Sequence, residues 1–333
     1  MKHILVFFWL ILAVGCTQSP WVKNQNHGNA LGTTFAITYM ADRELDFQKE
    51  IDSLFHAVNR SMSTYMEDSD ISKINAGDSS LAVDAMFREV FAISDGVHAA
   101  TGGHFDPTVG VLADAWGFGP GELLALDSLK VDSLLQYVGW DKVELRDDNT
   151  IAKAHPAMQF DFNAVAKGYT VDRLGALLDS KGIENYLVEL GGEILAKGHN
   201  PISGNPWTVG IDDPQVETGR ELKRIVLLQD RAMATSGNYR KFRLDPETGQ
   251  KYVHTIDPLT GYTKNSHVLA VSVLANTCAL ADAYATGFMA MDLEDSKELL
   301  SRHGELEAYI IHLDRDGKTQ EFMTDGFRAR IKR

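Results

Sequence analysis

From Phe47 to Met62 the apolar residues Phe47, Ile51, Leu54, Phe55, Val58 and Met62 recur at three- and four-residue intervals, which predicts a helix with one buried stripe. Asp84 stands as a cap for a second helix running to about Thr101, where Gly102-Gly103 breaks it. Elsewhere the period is two. Thr33 to Tyr39 alternates as a first strand, and 186–190, 207–211, 224–228, 268–274 and 308–312 have the same character. Residues 158–161 predict a short strand feeding a helix from about Ala164 to Ser180. Residues 277–291 predict a late helix, and 63–75 a polar loop. There is no repeat, no low-complexity tract and no obvious linker inside 30–333. No Gly-x-Gly-x-x-Gly follows a strand, so this order suits a mixed α/β domain better than a doubly wound sheet.

The first segment follows another pattern. Met1-Lys2-His3 is a short basic start, and Ile4 to Val14 is an unbroken apolar run too short to span a bilayer comfortably. It ends in small residues directly before Cys16, the layout of a signal peptide over 1–15. The Gly15-Cys16 ending resembles a bacterial lipobox, with Ala13 where leucine is usual. It implies that Cys16 is lipidated and becomes the new N-terminus; an ordinary signal peptide with a coincidental cysteine is the alternative. Residues 16–30 are then the lipidated N-terminus and a polar tether, and 31–333 the domain. The chain would be exported and held on a bacterial membrane by lipid, facing the periplasm. Only one other cysteine exists, Cys278, in an apolar helical stretch, so no disulfide is expected.

The net charge of -14 and the lack of any basic run argue against nucleic acid as a partner. The same field repels anionic nucleotides, so any phosphate site needs a local cation.

Three stretches carry candidate chemistry. In 161–169, Asp161-Phe162-Asn163-Ala164-Val165-Ala166-Lys167-Gly168-Tyr169, a strand delivers a carboxylate to a tight turn and a helix start. Helix dipole, Lys167 and close backbone approach at Gly168 suit a diphosphate; an ordinary helix start with a surface lysine has the same pattern. In 281–287, Asp282 and Thr286 lie four apart on one helix face, hard oxygen ligands suited to Mg²⁺. A polar face with a back-bonded threonine is the alternative there. In 254–261, His254 precedes an Asp-Pro turn, where an imidazole could take a proton at neutral pH. Loops at 62–65 and 103–110 add aromatic rings, a carboxylate and flexible backbone.

Taken together these segments resemble the ApbE family, FAD:protein FMN transferases. The matching pieces are M-S-T-Y at 62–65, F-D-P-T-V-G at 105–110, W-G-F-G at 116–119 and D-F-N-A-V-A-K-G-Y at 161–169. They continue with E-L-G-G-E at 189–193, A-T-S-G-N-Y at 234–239, H-T-I-D-P-L-T-G at 254–261 and A-D-A-Y-A-T at 281–286. They occur in the family order and cover nearly all of 31–325.

The resemblance implies an α+β fold of two interleaved subdomains enclosing a flavin. It implies that the Ala164 backbone carbonyl, Asp282 and Thr286 hold Mg²⁺. Leu31, Tyr65, His104, Phe105, Asp106, Asp161, Lys167 and Ile256 would contact FAD, the substrate, and His254 would be the catalytic histidine. The implied reaction moves FMN from FAD to a threonine or serine of another protein and releases AMP. Hydrolysis of FAD to FMN and AMP, or flavin binding without turnover, are the alternatives. The acceptors implied are proteins with an Asp-Gly-x-Ser-Gly-Ala-Thr-like flavinylation motif, such as subunits of membrane redox complexes. The nearest match here, 282–286, is two residues short, so modification in trans is expected.

Overall fold

The computed structural model describes residues 21–216, 221–238, 242–244, 251–264 and 267–332. The expected signal peptide and Cys16 lie outside the described residues. Its centre is an eight-stranded sheet. The strands are Val22–Ala30, Thr33–Ala41, Tyr186–Leu190, Glu193–Lys197, Arg231–Gly237, Val268–Ala275, Glu307–Leu313 and Thr319–Met323. They lie side by side in chain order, every neighbouring pair antiparallel. The long segments between them cross no strand; they fold over the two faces.

One face carries helices Gln48–Met62, Ala166–Ser180 and Cys278–Ala290, and the other the hairpin of Trp207–Asp212 and Leu222–Leu228 with helix Asp325–Ala329. The strand patterns follow from this. Tyr186, Val188 and Leu190 pack under the helices while Leu187 faces the hairpin side. Val268–Ala275 is covered on both faces, Val271 and Val273 by helices and Ala270 and Leu274 by the hairpin, so it is apolar almost throughout. Helix Cys278–Ala290 is buried nearly all round, and its alanines allow close packing on the sheet. A smaller cluster of Leu112, Ala113, Trp116, Val131, Val138 and Ile256 stands apart. It joins two separate insertions, with Trp116 Nε1 donating to the Gly261 carbonyl at 2.9 Å. The molecule is therefore the mixed α+β, interleaved arrangement expected.

Several elements differ from the sequence reading. The tether expected up to residue 30 is, from Val22, an edge strand paired with Thr33–Ala41. Its inward side chains are polar but satisfied. Asn24 accepts from the Leu45 N–H at 2.8 Å, and Asn26 donates to Asp46 at 2.7 Å while the Tyr39 hydroxyl donates to it at 3.0 Å. Residues 158–161 form no strand. Asn75 acts as the missing neighbour, taking the Phe160 N–H at 2.7 Å and donating to its carbonyl at 2.9 Å. The loop expected at 63–75 contains helix Asp70–Asn75, capped by Ser69. The helix expected from Ala164 starts at Ala166.

Helix Cys278–Ala290 begins against helix Ala166–Ser180. Asp172 accepts the Cys278 N–H at 2.7 Å and the Ala279 N–H at 2.8 Å, one per oxygen. Burial pushes the Asp172 carboxyl up to about 6, against those two N–H groups, and the Asp282 charge adds to the rise. Asp172→Ala leaves two buried helix N–H groups without acceptors, so the expected loss is about 1–2 kcal/mol at pH 7. With the folded pKa above 3.8, the folded state binds more protons between that value and about 6. The wild-type advantage over the variant therefore grows as pH falls through about 6; urea unfolding of both proteins at pH 7 and pH 5 measures it.

Candidate active site

The site is built where these two helices meet. Gly168, in the first turn of Ala166–Ser180, donates its N–H to Asp282 Oδ2 at 3.0 Å. A Cβ on Gly168 would lie 2.3 Å from the Cys278 carbonyl oxygen and 2.8 Å from Asp282 Cβ, so only glycine permits this approach. Asp282 is buried, and burial holds its carboxyl above the usual range, opposed by Lys167 and the Gly168 N–H. The sequence reading offered this helix N-terminus and Lys167 to a diphosphate. In the structure the Gly168 N–H serves Asp282, and the Lys167 ammonium is paired with the buried Glu193 carboxylate. Burial pulls the Lys167 ammonium down, but Glu193 and then Asp282 outweigh it and hold it above its ordinary value. Glu193 is pushed up to about 7, by burial first, with Lys167 opposing and the Asp282 charge adding. Thr286 lies one turn beyond Asp282, its hydroxyl 3.4 Å from Ser236 Oγ on strand Arg231–Gly237. Ala164 is in the turn just before the helix.

Beside this lies a cleft of about 320 Å³ lined by Thr64, Ser72, Asn75, Asp114, Gln159 and Asp161 among others. Asp161 Oδ1 accepts the Asn163 N–H at 2.7 Å, and burial raises its carboxyl, with Asp114 adding to the rise. Tyr65 is exposed; partial burial and then Asp161 and Asp114 lift its phenol above the usual range.

Two loops close the other side. In 102–108 Phe105 is buried and Asp106 faces inward, accepting from Thr108 N and Oγ1 at 2.8 and 2.7 Å and from Trp140 N at 3.0 Å. Its second half joins the 161–169 stretch through the Pro107 carbonyl, which accepts the Asp161 N–H at 2.7 Å. A Cβ on Gly287, next to Thr286, would stand 3.6 Å from Phe105 Cβ. His104 Nδ1 is buried without a hydrogen-bond partner, 4.0 Å from Asp257 Oδ1. The second loop places His254 edge-on to Phe118 at 6.5 Å and Ile256 in the small apolar cluster. Thr255 Oγ1 donates to Asn238, two residues beyond Ser236, which ties the histidine's loop to the strand that meets Thr286. Leu31 sits in the first hairpin turn at φ 48, followed by Gly32 at φ 72. That turn adjoins Gly191, whose N–H bonds to the Thr34 carbonyl at 3.0 Å.

The structure thus joins the segments singled out in the sequence into one contiguous region. Asp282, Thr286 and Lys167 share its core; Asp161 lines the cleft and Tyr65 follows its lining residue Thr64; His104, Phe105, Asp106, His254 and Ile256 belong to the two loops. Among the described residues no cluster of three or more His, Cys, Asp and Glu side chains has metal-binding geometry. Sequence reasoning gave no role to Asp114, to Asp172 or to Ser236, the last of which lay inside the quoted 234–239 motif; the partners of Asp172 and Ser236 lie far off in the chain. Glu193 lay inside a quoted motif, where its carboxylate after two glycines was the available signal.

The sequence model of the ApbE family matches residues 31–310. The chain belongs to the ApbE family. It is 38% identical over 295 residues, 86% of each chain, to an FAD:protein FMN transferase of Vibrio cholerae. It is 33% identical over 298 residues, 85% of each chain, to one of Haemophilus influenzae. Among solved structures, the flavin transferase ApbE from Vibrio cholerae superposes with a TM-score of 0.83 at 34% identity, covering 93% of this chain and 100% of that one. The apo Pseudomonas stutzeri flavinyl transferase ApbE gives 0.81 at 28% identity, covering 93% and 97%.

For this ApbE-family chain the contact at Gly168 is a close approach to backbone that has little room to yield. Gly168→Ala forces the two helices apart at Asp282, an overpacking cost of about 1–3 kcal/mol. Gly96, inside helix Ala85–Ala100 with nothing within 4 Å of its Cβ position, is the control. Gly96→Ala is expected to stabilise by about 0.5–1 kcal/mol. Thermal melts of the two variants check the contrast.

Proposed function

We propose that this chain transfers FMN from FAD to a threonine or serine hydroxyl of another protein, in an Mg²⁺-dependent reaction that forms a phosphoester and releases AMP. The observation that carries this reading is the buried acidic pocket at the helix crossing. Asp282 and Glu193 are both buried there, with Lys167 the only cation acting on the pair among the described residues. Such an excess of buried carboxylate calls for a further cation. The oxygens at hand are hard donors, as Mg²⁺ requires: the Asp282 carboxylate, the Thr286 hydroxyl and the Ala164 carbonyl. Mg²⁺ held there would supply charge neutralisation at the diphosphate.

The chain's own groups do the rest. In this reading Asp161, which lines the cleft, and Tyr65, next to its lining residue Thr64, contact FAD, and the loops around Phe105 and Ile256 shield the reacting centre from water. His254 takes the proton from the acceptor hydroxyl on a ring nitrogen. The hydroxyl oxygen bonds to the FMN phosphorus, the bond from that phosphorus to the bridging oxygen breaks, and AMP departs with the electron pair. Thr286 is not an acceptor in this scheme, because it lies within helix Cys278–Ala290 beside Ser236. The relatives carry the name FAD:protein FMN transferase, which supports the same reading.

Incubation with FAD, Mg²⁺ and an acceptor bearing the flavinylation motif is expected to give a fluorescent acceptor band and AMP. Mass spectrometry should find no FMN on the Thr286 peptide. Free FMN without a band would instead mean hydrolysis, and neither product would mean a flavin binder. Asp282→Ala is expected to lower transfer by at least about a hundredfold while the protein stays folded; full activity at low Mg²⁺ would refute the metal assignment.

We also propose that the chain is exported and lipid-anchored at Cys16, facing the periplasm, where membrane redox complexes expose acceptor subunits. The apolar run ending at Gly15-Cys16 supports this. Cys16→Ser is expected to move the protein from the membrane to the soluble fraction; a processed variant still found with membranes would exclude the lipid anchor.

A further inference from the structure

Glu193 is a buried charged group to which the reaction above gives no task. One carboxylate oxygen pairs with the Lys167 ammonium; the other, Oε2, is buried with no hydrogen-bond partner. Lys167 is thus the one other residue that hydrogen-bonds this side chain among the described residues. The carboxylate is held by stiff backbone. Glu193 opens strand Glu193–Lys197 directly after Gly191 and Gly192, at φ 66 and φ 108, in a tight turn closed by the Leu190–Glu193 pair. The Gly192 N–H is held by Glu189 at 2.8 Å, and Thr33 packs against Gly191. Lys167, by contrast, is a four-carbon stem whose ammonium also feels Asp282, since its chain neighbour Gly168 is already bonded to that carboxylate. Two acids compete for one flexible cation.

We propose that Glu193 is a positioning residue that holds the Lys167 ammonium off Asp282, leaving that carboxylate open to a divalent cation. Without Glu193 the lysine would turn to the remaining buried acid, as the loss of one partner in a buried ion pair demands, and would occupy the cation's place. This inference rests on the Mg²⁺ assignment above.

The test is a cycle of binding measurements with Mn²⁺ as the probe, free ion being read by electron paramagnetic resonance, without FAD or turnover. Wild type and Asp282→Ala come first. Mn²⁺ binding that Asp282→Ala does not weaken would refute the metal assignment itself, and the inference with it. With that established, Glu193→Gln is expected to weaken Mn²⁺ binding by about tenfold or more. In a Lys167→Met background the same change should alter binding by less than about twofold, because the competitor is gone. Equal weakening in both backgrounds would mean that only a negative charge had been lost, and would overturn the proposal; so would no weakening in either. Glu193→Asp keeps the charge but is one methylene short of Lys167. It should behave like Glu193→Gln, whereas wild-type affinity in that variant would also overturn the proposal. Should Glu193→Gln fail to fold, as a thermal melt would show, Glu193→Asp decides alone.

Discussion

Two helices, distant in sequence, cap each other at one crossing. Asp282 of the later helix accepts the Gly168 N–H of the earlier one, and Asp172 of the earlier accepts the Cys278 and Ala279 N–H groups of the later. Helix ends present donors and a partial positive charge, so each carboxylate stabilises the start of the opposite helix. The pairing of 168 with 282 and 172 with 278 sets them antiparallel at contact distance, which glycine at 168 makes sterically possible. The other parts of the site take their places from this crossing. The 161–164 turn leads into one helix, Thr286 and the Phe105 contact lie along the other, and the sheet beneath brings Ser236 and Glu193 up to them.

That arrangement changes where positive charge comes from in an acidic chain. A bare helix end and a free lysine would have been enough to attract a diphosphate. Here the N–H belongs to Asp282 and the ammonium to Glu193. What the protein offers is closer to a negative, dehydrated socket beside a cleft that itself contains Asp114 and Asp161. Such a place repels a bare anion, which makes the acidity a filter on what can bind.

Much of the fold was legible because its periods are clean. The stripe in 47–62, the Asp84 cap and the alternation in 186–190 each became the expected element. Two of the failures, at 22–30 and at 158–161, share one cause, polar side chains standing in for backbone or core. Asn24 and Asn26 fill inward strand positions that hydropathy assigns to solvent, and Asn75 replaces a strand neighbour for Phe160. Such partners lie 85 residues apart in the case of Asn75 and Phe160, beyond the reach of local pattern. In the site, the i, i+4 spacing of Asp282 and Thr286 was readable on its helix. Asp172 was not, because nothing near it in the chain says that it caps a helix more than 100 residues later.

The order of strands in the sheet bears on how the chain reaches this state. All seven pairings in the eight-stranded sheet join strands that follow one another along the chain, yet Thr33–Ala41 must wait for Tyr186–Leu190, across all of 42–185. Closing so long a loop costs chain entropy that no early contact repays. The first hairpin is therefore complete long before its docking edge exists, and its inner strand is an open template in the meantime. A chain synthesised from its N-terminus passes through that interval every time. The many polar side chains on Val22–Ala30 keep the outer edge of the waiting hairpin poor at recruiting a second copy.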